Sequence, residues 1–197
     1  MAASDLALDL ALTIRHDGHG GVADDLAAPD GLTRWVHDHA ADLGVDAFAA
    51  DQDALDAVRE LRAAVRALFA RAVRPGEPSP ADARRLLPVE EALTRLNSAA
   101  AAVPTVQQLT WAQDEDPASH TLPSAPATQQ QILTAALARA AVAFLAGPDR
   151  TRLRACHAPR CVRYFLKEHP RQEWCKPSCG NRARVARHHE RHRAESA

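Results

Sequence analysis

All four cysteines of this chain fall in one short stretch near its end, CHAPRCVRYFLKEHPRQEWCKPSCGNR (156–182). The spacing is C-x4-C-x13-C-x3-C, through Cys156, Cys161, Cys175 and Cys179. Two close pairs on separate turns can bring four sulfurs to one tetrahedral point, the arrangement zinc prefers, with bonds of about 2.3 Å. A segment this small has too little apolar mass to fold unaided, and a zinc ion would supply roughly 10–16 kcal/mol of apparent binding free energy. Four thiolates fill the coordination shell and leave no place for a reactive water. The spacing therefore predicts one structural Zn2+, with Phe165 and Trp174 covering its apolar side and a hairpin formed by the 13 residues between the pairs.

Other uses of the thiols fit less well. Disulfides need an oxidising compartment, and MAASDLALDLALTIR has no basic leader and carries Asp5 and Asp9 inside its apolar run, a poor secretory signal. No apolar run approaches the ~20 residues of a membrane span, so a cytoplasmic protein with reduced thiols is expected. A redox C-x-x-C is absent, and so is the histidine–glutamate partner set of a zinc deaminase. An H-E-x-x-H motif begun at His189 is broken by Arg193, and His157 reads as an exposed loop histidine. No glycine-rich phosphate loop, nucleophile elbow or recognisable carboxylate pair is present, and His37 and His39 read as solvated helix residues, so an enzyme is not expected.

Charge divides the chain. Residues 150–197 hold 13 Lys+Arg against 4 Asp+Glu, a surplus of nine, while the remainder carries a deficit of ten. After the fourth cysteine, GNRARVARHHERHR predicts a helix with Arg184, Arg187 and Arg191 on one face. Val185 and His189 are expected to face inward, Gly180 to supply a positive-φ exit from the knuckle, and Asn181 to hold that turn. A zinc-held basic helix is a common way of meeting nucleic acid. The expected contacts are Arg182, Arg184, Arg187 and Arg191, with Arg163 and Lys176 adding to the field.

The chain ahead of the cysteines reads as mostly helical. Helices are expected over about 4–15, with Ser4 as cap, over 30–43 with Asp30 as cap and Gly44 as stop, and over 51–73. The last has one apolar stripe of Leu55, Val58, Leu61, Val65, Leu68 and Phe69. SPADARRLL predicts a further helix capped by Ser79, and Pro88 breaks or restarts it before VEEALTRLNSAA. VPTVQQLTW reads as a strand, AQDEDPASHTLPSAP as a polar turn or loop, and 128–146 as a central buried helix ended by Gly147-Pro148. The fold expected is mainly α, with a helical domain at 1–147 and a small zinc-knuckle module at 148–197 that ends in a basic helix. Loss of zinc is expected to unfold that module alone.

WCKPSCGNR, preceded by C-x4-C and followed by a basic helix, resembles the CGNR zinc finger found at the C-terminus of bacterial proteins assigned to transcription regulation. The intervening YFLKEHPRQEWC is similar to that family's aromatic-rich hairpin. In such proteins the finger follows an ABATE domain, described as a stress-linked regulatory domain. LALDLALTIR is similar to its L-D-F-x-N-T signature, followed by ADDLAAPDGLTRWV, LRAAVRALF and LTRLN. The signature's asparagine falls at Leu12, between Asp9 and Thr13, which are expected to make capping or turn hydrogen bonds. The resemblance implies a zinc-dependent regulator that binds duplex DNA, with a helical body that dimerises, senses a small-molecule signal, or both. The alternative is a zinc-stapled interaction module whose basic tail docks on an acidic protein surface, its own body included.

Overall fold

The structure, a computed structural model, describes residues 3–19, 21–45, 47–82 and 85–195. Two long helices form its centre. α4 (Gln52–Ala72) starts where the Asp51 side chain accepts a hydrogen bond from the Ala54 backbone N–H. α6 (Gln129–Ala146) starts at a capping box, with Thr128 and Gln131 each bonding the other's backbone N–H. Their apolar faces meet at Phe69 and Phe144, whose ring centroids lie 5.0 Å apart. α1 (Ala3–Leu12) and α5 (Val89–Ala101) flank this pair, and α2 (Pro29–Asp38) and α3 (Ala40–Leu43) close one side. The expected stripe of α4 is buried along its length, as are Leu10, Leu32, Val36, Leu133 and Leu137.

Several local expectations give way to other structures. Ser4 lies inside α1, which ends at Leu12, and the end of the expected helix belongs instead to β1 (Ile14–His16), paired antiparallel to β2 (Val22–Asp24). The 30–43 helix is two helices: Ala28 rather than Asp30 holds the cap position, and the chain breaks at His39. Gly44 does end the second helix, at φ +64°. His37 and His39 have partners, since His37 Nε2 meets the Phe48 carbonyl at 3.0 Å and His39 stacks on Trp35. The described part of SPADARRLL is turns rather than helix (Ala83 and Arg84 lie outside the described residues), because Ser79 and Asp82 are drawn into a buried polar network instead. VPTVQQLTW contains β3 (Thr105–Thr110) as expected, but the polar segment after it supplies a partner, β4 (Ala118–Pro123).

The buried network was not anticipated. Arg62 and Arg66 interrupt the apolar face of α4 at i and i+4, and both side chains are more than nine-tenths buried. Arg62 forks onto both carboxylate oxygens of Asp24 at 2.6 and 2.7 Å and also donates to Thr13 Oγ1. Arg66 forks onto Asp82 at 2.7 and 3.0 Å and donates to the Ala11 carbonyl. Two buried cations are tolerable only because each is matched by a carboxylate in bidentate geometry. Thr13 meets its expectation: its hydroxyl donates to the Leu10 carbonyl at the end of α1. Asp9 lies 3.5 Å from His39 Nε2.

The cysteine segment is joined to this core. A 3-10 turn (Pro148–Arg152) leads into β5 (Leu153–Ala155), which pairs antiparallel with β6 (Tyr164–Leu166). Leu153 and Tyr164 belong to the same buried cluster as the helices. Tyr164 donates to Asp82 Oδ2 at 2.7 Å, and Ser79 Oγ donates to the Val162 carbonyl at 2.8 Å.

Candidate metal centre and its basic helix

The first cysteine pair sits in the loop of the β5–β6 ribbon. The ribbon therefore surrounds the first pair, instead of lying between the pairs. Cys161 N–H donates to the Ala158 carbonyl, closing one tight turn, and Cys179 N–H donates to the Lys176 carbonyl, closing the second. Cys156 N–H is held by the Arg163 carbonyl across the mouth of the ribbon. The second pair straddles the start of α7 (Pro177–Glu195), so Cys179 lies in that helix's first turn.

These turns bring the four sulfurs within 4.8 Å of one another. Cys161 and Cys175 Sγ are 3.7 Å apart and Cys175 and Cys179 Sγ 3.5 Å apart, and no disulfide joins them. A tetrahedron with zinc–sulfur bonds of about 2.3 Å has edges of about 3.8 Å. The thiol set fits one zinc ion, which would supply structural cross-linking between the two turns and no open coordination position. Hydrogen bonds from Cys156 and Cys175 hold the Cys161 thiol down to about 3, whereas Cys175, facing Cys156 and Cys161, is pushed up. Sulfurs packed this closely cannot all shed their protons without a cation among them. Cys156, Ala158, Cys161, Phe165 and Cys179 form a small apolar cluster of their own with Trp174 against it, so the expected aromatic cover is present.

A model of the ABATE family, described as a "putative stress-induced transcription regulator", matches residues 4–148. The chain belongs to the ABATE family. The CGNR zinc finger matches residues 152–192 of this ABATE chain. A search of curated proteins finds no match.

Each letter of the ABATE chain's CGNR has a physical task in this structure. Cys179 contributes a sulfur. Gly180 does not take positive φ. It makes room instead, because a Cβ there would stand 3.1 Å from Trp174 Cδ1. Asn181 lies within α7, where its Oδ1 accepts a hydrogen bond from the Arg184 guanidinium and does not hold a turn. Arg182 donates to Cys179 Sγ at 3.1 Å and to the Pro159 carbonyl at 3.0 Å, tying the helix to the first knuckle. An N–H···S bond from a cation also spreads the charge of a metal-bound thiolate.

The six basic residues expected to meet nucleic acid thus divide. Arg184, Arg187 and Arg191 are exposed on α7. Arg182 is half-buried and engaged beside the sulfurs. Arg163 and Lys176 line a separate groove of about 500 Å³ against Leu8 and Leu12 of α1, Arg163 half-buried and Lys176 exposed. Val185 is 57% exposed and His189 is exposed. Ala183 is the buried residue of that turn. A small side chain there lets α7 lie close on the knuckle. No helix among the described residues is long and apolar enough to cross a membrane.

Proposed function

We propose that this protein is a zinc-dependent, DNA-binding transcription regulator. A finger near residues 148–197 contacts duplex, and a helical body at 1–147 serves regulation or dimerisation. The observation that carries the reading is the construction of α7. Its first turn is pinned by a metal ligand, and the next turns present Arg184, Arg187 and Arg191 to solvent. A rigid base under a row of arginines preorganises phosphate contacts, and one arginine of the row can fork onto guanine in the major groove. Among the described residues none of these three arginines meets a carboxylate, which disfavours docking of the tail on its own acidic body. Single-strand recognition is also disfavoured, since α7 carries no aromatic residue beyond its histidines for bases to stack on.

A salt-titrated duplex-binding measurement on the zinc-loaded full chain tests this reading. Neutralising four to six phosphates gives log K against log salt a slope of about −4 to −5. Arg184→Glu combined with Arg187→Glu should retain the metal and lose duplex. Binding that ignores salt, or survives the double reversal, removes the proposal.

A further inference from the structure

Between Arg95 and Arg139 the chain contains no lysine or arginine, and within that interval β3 and β4 carry no charged residue of either sign. The two strands pair only with each other. All their residues are exposed except Thr105 and Pro123 at the base, which are half-buried. Val106, Leu109 and Leu122 are 51%, 66% and 42% exposed, and Trp111, just past β3, is 71% exposed. An isolated two-stranded ribbon is marginal in water, and its open edges invite a further strand. Soluble proteins guard such edges with lysine, proline or a bulge. β4 has Pro117 before it and Pro123 at its end. β3 likewise has Pro104 before it, but neither charge nor proline anywhere along Thr105–Thr110.

We infer that β3 is a self-association edge, at which two copies of this chain pair β3 with β3 antiparallel about a two-fold axis to form a four-stranded sheet. Two observations single out a second copy as the occupant. In a two-fold pairing the residues near the axis lie opposite or close to their own counterparts, so a charge in the middle of the strand would meet its like. β3 is free of charge. Such a pairing also places one residue opposite itself, and Gln108, near the middle of β3, suits that position. Gln107 is engaged within the ribbon, bonding Thr121 and Ser119, whereas the Gln108 amide has no hydrogen-bond partner among the described residues. A carboxamide carries donor and acceptor on one group and so complements its own image. With Gln108 on the axis, Val106 falls opposite Thr110 of the second copy and Gln107 opposite Leu109. The acidic tips, Asp114, Glu115 and Asp116, then lie at opposite ends of the sheet and do not oppose one another.

This pairing gives the dimer of the proposed regulator a location, but it does not depend on DNA binding. Sedimentation velocity of the zinc-loaded full chain without nucleic acid, over about 1–200 µM, reads it directly. A six-residue edge is a small interface, so a reversible dimer in the micromolar range is expected. Gln108→Lys and Gln108→Glu should each weaken self-association at least tenfold, with metal content and circular dichroism unchanged at this exposed position. An equimolar mixture of the two variants should associate again, because opposite charges then face across the axis. A wild type that stays monomeric throughout, a lysine variant that dimerises like wild type, or a mixture no better than its components each overturns the inference. Duplex binding measured on the same samples separates the two proposals. Dimers that ignore duplex sink the DNA reading alone, and monomers that bind it sink the β3 pairing alone.

Discussion

Asp82 receives three donors, two from Arg66 and one from Tyr164, in a site from which water is nearly excluded. Burial first, and the neighbouring Asp82 charge second, push the Tyr164 hydroxyl well above its ordinary value, so it stays a donor at every accessible pH. Asp82→Ala strands the Arg66 guanidinium and should cost about 3–5 kcal/mol in urea unfolding. Tyr164→Phe keeps the ring in the core and removes one hydroxyl, which should cost about 1–2 kcal/mol. Equal losses would mean that the Tyr164 hydroxyl bond matters as much there as the ion pair. Asp24 behaves differently because it lies nearer the surface. Burial works to raise its pKa, but the Arg62 guanidinium outweighs that and holds the carboxyl below the ordinary 3.8. A folded value below the unfolded one means stability fully present above that range and lost as pH falls through the folded value. The gap in urea midpoint between wild type and Asp24→Asn should therefore be widest near about pH 6 and shrink toward about pH 3. A constant gap would show that Asp24 matters through hydrogen bonding alone.

Elements differ in how plainly the chain announced them. α4 was legible from its apolar stripe and α6 from its nearly unbroken apolar run ended by Gly147-Pro148, while the caps that start them, Asp51 and Thr128, each accept a backbone N–H in the structure. The cysteine cluster was legible because metal geometry restricts ligand spacing, so all four thiols came from the pattern itself. β4 was not, since a strand exposed on both faces needs no alternation of polar and apolar residues, and ASHTLP shows none. Arg62 and Arg66 carry a signal of the buried network in the sequence itself. Both fall on the stripe of α4 that holds Val58, Val65 and Phe69, where an unpaired cation could not survive. Charge alone groups Arg182 with the phosphate contacts, whereas its position three residues after Cys179 puts it over the sulfurs. Gly180 offers a test at this scale. An alanine Cβ would press on the Trp174 indole, so Gly180→Ala should displace that ring, shift tryptophan emission and cost about 1–3 kcal/mol by overpacking. Unchanged emission and stability would show that the indole can yield freely.

Across the whole molecule, the boundary suggested by composition and the boundary suggested by packing do not coincide. The two family matches meet between residues 148 and 152. Leu153 and Tyr164, beyond that point, nevertheless complete the helical core, and Tyr164 lies edge-on to Phe69 at 5.5 Å. Ser79 and Asp82 of the body hold Val162 and Tyr164 by hydrogen bonds that have no water to fall back on. A finger merely tethered to the body would melt alone when its metal left, as the sequence suggested. A finger whose first ribbon supplies two core residues cannot loosen without opening a cavity beside α4 and exposing the Arg66–Asp82 pair. Chelation, or Cys175→Ser, should therefore lower one shared calorimetric transition and reduce helical circular dichroism on heating at a lower temperature throughout. Two separate transitions, with the upper one unmoved by chelator, would mean that Tyr164 can leave the core while the body stays closed. The shared transition would also give any event in the body a mechanical route to α7, running through β6 and the two knuckles and requiring no hinge between domains.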